Sequence, residues 1–228
     1  AYVQTLTLKG AADGRLFIRA EIGGDKPNAK LHIVVADPAD GTIVADELLP
    51  AGMRKVRTEI ATRAEHLWSP NDPYLYDVTA TLEFGAAKSQ GKQEKLQQES
   101  QEIQEKPAKS QEKQDIVRSY CAFRTVEIKP DLKGIARFHL NGKPVFLKGV
   151  LDQGYWPDGL LTAPSDEALV HDIIAMKESG FTMLRKHIKI ESARWYYHCD
   201  RLGMLVWQDA VSGGGEYNAW VTNRKPTD

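Results

Sequence analysis

Phe181-Thr182-Met183-Leu184-Arg185, then Ser192 to Leu202, then Gly203 and Met204-Leu205-Val206-Trp207 form the stretch that decides the fold class. Its outer pieces are short apolar runs of the kind that build strands buried on both faces. Between them Trp195, Cys199 and Leu202 recur at spacings of four and three, the period of a helix that buries one face, and Gly203 ends it. Another helix is predicted just upstream. Ser165-Asp166-Glu167 offers an N-cap with two acids in the first turn. Leu169, Ile173 and Met176, flanked by Val170 and Ile174, supply the buried stripe, and Gly180 closes the helix. With a further strand ending near Leu151, the order is strand, helix, strand, helix, strand. Parallel neighbours need a long crossover between them, so this spacing predicts a parallel βαβαβ arrangement. The second half is expected to be α/β.

Working backwards, Asn141-Gly142 is a strong turn signal between Phe138-His139-Leu140 and Val145-Phe146-Leu147, and predicts a hairpin. The first 85 residues alternate with period two. Val3 to Leu8, Arg15 to Ile22, Leu31 to Ala36, Val56 to Ala61 and Val78 to Phe84 read as strands, with Gly23-Gly24, Asp37-Pro38, Asp40-Gly41 and Ala51-Gly52 as turns. Such runs predict an antiparallel sandwich, whose last strand is expected within Arg118 to Ile128. The segment 86–115 interrupts the pattern: it holds eight Gln, six Lys and five Glu, with Leu96 and Ile103 as its larger apolar residues. Too little apolar surface is available there to offset the entropy of ordering, so a mobile polar insertion is expected.

Composition narrows the partners. Thirty Lys and Arg against 31 Asp and Glu give a net charge of −1 in 228 residues, without the basic surplus of a nucleic-acid binder. No apolar run approaches the ~18 residues of a membrane-spanning helix. Ala1-Tyr2-Val3-Gln4 has neither the basic start nor the apolar stretch of a signal peptide, and without an initiator Met the chain reads as a processed or excised piece. Cys121 and Cys199 form no disulfide framework or metal-ligand spacing and are expected to be buried thiols. No metal or cofactor is expected.

In parallel α/β sheets, sites form at the carboxyl ends of the strands. Three such ends bring Asp152-Gln153-Gly154-Tyr155-Trp156-Pro157-Asp158-Gly159, then Arg185-Lys186-His187, then Gln208-Asp209 with Ser212 to Tyr217, onto one face. Carboxylates, a cation, an imidazole and aromatic rings together suit a sugar, whose C–H faces stack on rings and whose hydroxyls need charged hydrogen-bonding groups. Each residue also has a plain structural reading. His187 reads equally as a packed histidine at a strand end, Arg185 as one half of an ion pair with Asp209 or Asp152, and Trp207 as core. Gly213-Gly214-Gly215 lacks the following Gly-Lys-Ser/Thr of a phosphate loop and is expected to be a flexible βα loop.

Several ordered motifs resemble glycoside hydrolase family 2, the group of β-galactosidases, β-glucuronidases and β-mannosidases. Leu67-Trp68-Ser69-Pro70-Asn71-Asp72-Pro73-Tyr74-Leu75-Tyr76 resembles that family's segment near the end of its immunoglobulin-like domain. Phe123-Arg124-Thr125-Val126-Glu127-Ile128 and Phe138-His139-Leu140-Asn141-Gly142-Lys143-Pro144 resemble its approach to the barrel. Phe181 to Arg185, Trp195 to Gly203 and Leu205 to Asp209 are similar to its second and third barrel strands and the helix between. The resemblance implies an immunoglobulin-like antiparallel β-sandwich over 1–129, followed over 130–228 by the first three strands of a (β/α)8 barrel. It implies a segment of a retaining, β-galactosidase-like glycosidase, with Asp152, Trp156, Arg185, His187 and Asp209 lining the sugar pocket. Arg185 is the safest of these, because the matching family arginine lies beside the nucleophile. Trp207-Gln208-Asp209 stands where typical β-galactosidases carry Asp-Glu and looks closer to the mannosidase branch.

The family's chemistry uses two glutamates, acid/base and nucleophile, about 5–5.5 Å apart on later barrel strands. Neither has a counterpart here, and no Asn-Glu pair occurs in the chain. The 228 residues by themselves are therefore expected to be inactive, an internal piece of a longer enzyme. A carbohydrate is the expected partner, nucleic acid and membrane are not, and a homo-oligomer is left open. The rival readings are a non-catalytic carbohydrate-binding or interaction module and an inactive truncated product.

Overall fold

The computed structural model describes residues 1–24, 28–52, 54–84 and 114–211, which divide into two compact units. The first contains the described residues of 1–9, 15–63 and 76–121, and the second those of 10–14, 64–75 and 122–211. The polar insertion expected over 86–115 falls outside the described residues except for Gln114 and Asp115.

Within the first unit β1 (Tyr2–Gly10), β2 (Arg15–Gly23) and β5 (Lys55–Ala61) form one sheet, in the order β1-β2-β5. A second sheet has the order β4-β3-β6-β7, from β3 (Ala29–Ala36), β4 (Ile43–Pro50), β6 (Tyr76–Phe84) and β7 (Asp115–Cys121). β2 pairs with β5, β3 with β4 and β6, and β6 with β7, all antiparallel, with Ile33 of β3 opposite Ala80 of β6 and Glu47 of β4. Because successive side chains point to opposite faces, the period-two pattern sends one set inward. Leu16, Ile18 and Ala20 on β2, Leu31, Ile33 and Val35 on β3, and Val78, Ala80 and Leu82 on β6 are the buried set. These inner faces form the core of an antiparallel β-sandwich. Strand β4, which the turn residues at 37–41 and 51–52 concealed, fills the outer edge of the larger sheet.

The expected last strand over Arg118 to Ile128 is two strands. β7 ends at Cys121, and β8 (Val126–Pro130) belongs to a different sheet. Between them Phe123, fully buried, bridges Gly10, so the chain leaves one sheet at this point. An added Cβ on Gly10 would stand 2.5 Å from the Ala122 carbonyl oxygen, which is why only glycine admits so close a crossing.

In the second unit β8, β9 (Ala136–Leu140) and β10 (Lys143–Pro144) make an antiparallel sheet. Asn141 and Gly142 take φ of 51° and 76° at its tight turn, the left-handed pair that a two-residue hairpin needs. Then β11 (Gly149–Asp152), α1 (Asp166–Glu178), β12 (Met183–Lys186), α2 (Ala193–Leu202) and β13 (Leu205–Gln208) follow, and the three strands pair in parallel in chain order. The Ser165 hydroxyl caps α1 by accepting from the Ala168 N–H at 3.2 Å. Gly203 ends α2 at φ 72°. Leu169 and Ile173 of α1, Trp195 and Cys199 of α2, Leu184 of β12 and Met204 form the core between helices and sheet.

Residues 64–75 are bound into this second unit by a set of long-range contacts. Trp68, fully buried, donates its indole N–H to the Asp200 carbonyl at 2.7 Å, and its backbone N–H to the Phe123 carbonyl at 2.9 Å. The Arg124 guanidinium stacks 4.2 Å above the Trp68 ring and pairs with the Asp200 carboxylate at 2.8 Å. Lys177 of α1 donates to the carbonyls of Pro70 (2.9 Å) and Leu202. Burial lowers the pKa of this ammonium.

Candidate functional site

The carboxyl ends of β11, β12 and β13 lie side by side, because Asp152 pairs with Lys186 and Lys186 with Gln208 in the parallel register. Alternation along β12 then separates two kinds of residue. Leu184 and Lys186 turn towards the helices and are buried, whereas Arg185 is exposed on the other face. The next residues, His187 and Asp209, continue off the strand ends, each tied back by its own N–H: His187 to the Asp152 carbonyl at 2.9 Å and Asp209 to the Lys186 carbonyl at 3.1 Å.

Arg185 and Asp209 make a two-pronged ion pair. Nε reaches Oδ1 at 3.1 Å and one terminal nitrogen reaches Oδ2 at 3.0 Å. Planar guanidinium and planar carboxylate match in this geometry, so each fixes the other's orientation as well as its charge. The Arg185 hydrogen bonds, and after them the positive charge of Arg185, hold the Asp209 carboxyl below the usual aspartate range. Asp209 raises the Arg185 pKa in return. Gln153, one residue beyond β11, places its amide nitrogen 2.8 Å from Nδ1 of His187.

Beneath this rim lies a buried charge cluster. Lys186, with a side chain only 1% exposed, pairs with Asp152 at 2.8 Å and with Glu191 at 3.1 Å. Its ammonium sits 4.2 Å over the Trp195 ring. Glu191 also takes Lys189 at 2.8 Å, and Lys189 donates to the Gly154 carbonyl at 2.7 Å. Two cations and two carboxylates thus offset one another where none could stay charged and unpaired. Tyr196 accepts the Glu191 N–H at 3.2 Å and donates to Gln208 Oε1 at 2.5 Å, while Gln208 donates to the Lys189 carbonyl at 2.8 Å. The result is a cross-braced support under the loop from His187 to Glu191.

Of the five nominated residues, Asp152, Arg185, His187 and Asp209 come together on this edge. Trp156 is placed otherwise. Its ring packs against the core of the second unit, and its indole nitrogen is buried without a hydrogen-bond partner among the described residues. The neighbouring Tyr155 carries the exposed ring. Trp207 is half-exposed and meets Phe138 edge-on at 5.6 Å. It borders a cavity of about 270 Å³ lined by Val126, Phe138, Leu140, Met183 and Leu205. The glycine run at 213–215 lies outside the described residues.

Lys189 and Glu191 were missed from the sequence, and Lys186 was placed at the strand end without its burial, although a signal existed. A lysine two residues from Leu184 on a strand falls on the buried face and must find an anion there, and Glu191 lies five residues on. Both cysteines are buried, and burial raises their thiol pKa, to about 12 for Cys121. Among the described residues no group of three or more His, Cys, Asp or Glu side chains could hold a metal ion, and no helix is long and apolar enough to cross a membrane.

No protein-family model matches the chain. It is 25% identical over 197 residues to a β-galactosidase of Lactobacillus delbrueckii subsp. bulgaricus, a match covering 86% of this chain and 16% of that enzyme. It is 26% identical over 211 residues to β-mannosidase B of Aspergillus terreus, covering 88% of this chain and 21% of the relative. Its fold is shared with a β-glucuronidase from Parabacteroides merdae at a TM-score of 0.66 and 20% identity, over 91% of this chain and 23% of the other. The chain therefore spans about a fifth of the length of the proteins it matches. These likenesses agree with the resemblance carried by its motifs: the chain is similar to a segment of proteins named β-galactosidase and β-mannosidase, and shares its fold with a β-glucuronidase.

Proposed function

We propose that these 228 residues are a segment of a retaining, β-galactosidase-like glycosidase. In this reading the first unit serves as an immunoglobulin-like sandwich, with the domain running over 1–129. The strands β11, β12 and β13 are the first three of a (β/α)8 barrel that begins at 130. The observation that carries the reading is the Arg185–Asp209 fork at the carboxyl edge of a parallel sheet, on a chain whose relatives are named glycosidases.

The edge can bind and orient a sugar but cannot cleave one. Asp209, held ionised, accepts from a hydroxyl through the lone pairs that Arg185 leaves free. His187 and Asp152 add further polar contacts, and Tyr155 and Trp207 supply ring surface around the edge. Cleavage needs a proton donor to the leaving oxygen and a second carboxylate as nucleophile. Neither role falls to a residue of this edge, because Asp209 is neutralised by Arg185, and Asp152 and Glu191 by Lys186. In the longer protein the two glutamates come from later strands, and Arg185 and Asp209 act as supports.

The test is a comparison of the 228-residue chain with the product of the uninterrupted gene. The longer product should release nitrophenol from at least one of the nitrophenyl β-galactoside, β-glucuronide or β-mannoside, and the chain alone from none. A folded full-length product that turns over none of the three overturns the reading.

A further inference from the structure

Gln153 and His187 meet at 2.8 Å through the amide nitrogen of one and Nδ1 of the other. An amide nitrogen only donates, so Nδ1 must present its lone pair, and a neutral imidazole then carries its single proton on Nε2. The backbone fixes where this happens. His187 is held by its own N–H on the Asp152 carbonyl, and Gln153 is the next residue along β11's exit, so the two side chains leave adjacent strand ends. Among the described residues Nε2 of His187 has no hydrogen-bond partner, and the ring is only half-buried. An N–H donor is thus left unused beside Asp209, an acceptor on the next strand end.

We propose that Gln153 is a positioning residue that fixes His187 with its proton on Nε2, so that this nitrogen donates to a hydroxyl oxygen of a bound pyranoside. The donor role rests on the glycoside reading above, whereas the tautomer does not. A hydroxyl both donates and accepts, and a fixed N–H next to a fixed carboxylate offers it both complements. Left free, an imidazole divides between its two tautomers, and part of the population would present a lone pair to a hydroxyl oxygen whose proton is already given to Asp209, so that the second hydrogen bond is lost. Gln153 removes that population before a ligand arrives, which is preorganisation of a single proton.

The experiment is long-range proton–nitrogen correlation NMR on the 228-residue chain, labelled with nitrogen-15 in histidine, at a pH where the imidazoles are neutral. The His187 signals are assigned by their loss in His187→Gln. The wild-type chain should show a lone-pair nitrogen at Nδ1 and a protonated one at Nε2. Gln153→Ala should give averaged nitrogen shifts with both tautomers populated. Gln153→Glu, whose carboxylate only accepts, should transfer the proton to Nδ1. A protonated Nδ1 in the wild type, or no change in either variant, overturns the proposal. Backbone amide spectra report whether each variant is folded, and should Gln153→Ala fail to fold, Gln153→Glu carries the test. Glycosidase turnover plays no part in this readout, so its outcome is independent of the one that tests the proposed function.

Discussion

Arg185 and Asp209, 24 residues apart, are joined by two hydrogen bonds of 3.1 and 3.0 Å across the ends of neighbouring parallel strands. The pair sits on a surface where a single-pronged ion pair would contribute little, because solvent screens it. Its value lies in orientation, since two parallel bonds leave neither group free to rotate. The carboxylate is thereby kept ionised and aimed.

Asp209 should titrate below the usual aspartate range when followed by carboxyl carbon NMR, and Arg185→Met should bring its midpoint back up. The sign follows from the lowered pKa. The contribution of the pair to stability is fully present above the ordinary aspartate pKa. It is lost as pH falls through the depressed value of the folded state. An unchanged midpoint in Arg185→Met would show that the fork does not control the charge.

Lys186→Met should destabilise the second unit by about 3 kcal/mol in urea unfolding, because Asp152 and Glu191 lose a buried cation. The double variant Lys186→Met with Glu191→Leu should recover part of that loss, since it removes one charge of each sign. Additive losses would mean that the two side chains do not interact.

Trp68→Phe should cost about 1–3 kcal/mol, from the loss of the short indole hydrogen bond to the Asp200 carbonyl and a smaller ring beneath the Arg124 guanidinium. Calorimetry would detect it as a lower Tm for the transition of the second unit. A shift in the first transition alone would contradict the contacts that bind residues 64–75.

Gly203→Ala should destabilise far more than Gly180→Ala, although φ is 72° at one and 85° at the other. An added Cβ at Gly203 would stand 2.3 Å from the Pro70 carbonyl oxygen, whereas at Gly180 it meets nothing within 4 Å. The left-handed conformation alone costs about 1 kcal/mol, which is the loss expected for Gly180→Ala in denaturant unfolding.

Cys121 and Cys199 should resist a thiol reagent in the native state and react together on unfolding. Burial pushes the Cys121 thiol up to about 12, and the thiolate is the reactive form. Rapid labelling of either residue in the folded chain would show that its burial is interrupted by local opening.

The local rules were written plainly in the residues. The Ser165 cap, the Gly203 stop, the Asn141-Gly142 turn and the alternation along β2, β3 and β6 each depend on neighbours within a few positions. Short-range periodicity therefore carries enough information to place them. The break between β7 and β8 was not legible, because both halves of Arg118 to Ile128 alternate acceptably. What separates them is Phe123 meeting Gly10, more than a hundred residues earlier.

The site divides in the same way. That Asp152, Arg185, His187 and Asp209 would gather at one edge followed from strand order alone, since parallel strands bring all their carboxyl ends to one side. Which groups pair across that edge did not follow. Arg185 had two eligible carboxylates, and the register gave it Asp209 while Lys186 took Asp152. Trp156 was nominated for its ring, and packing leaves that ring partly buried against the core of the second unit, which the sequence did not reveal.

Sequence by itself thus determined most of the elements, their order and the family resemblance, because these rest on propensity, period and motif. Tertiary structure decided the pairing of charges, the burial of Lys186 and the unit to which residues 64–75 belong. Such choices turn on distances between residues far apart in the chain. Coulomb and hydrogen-bond energies change over a single ångström, and only the packed fold sets that distance.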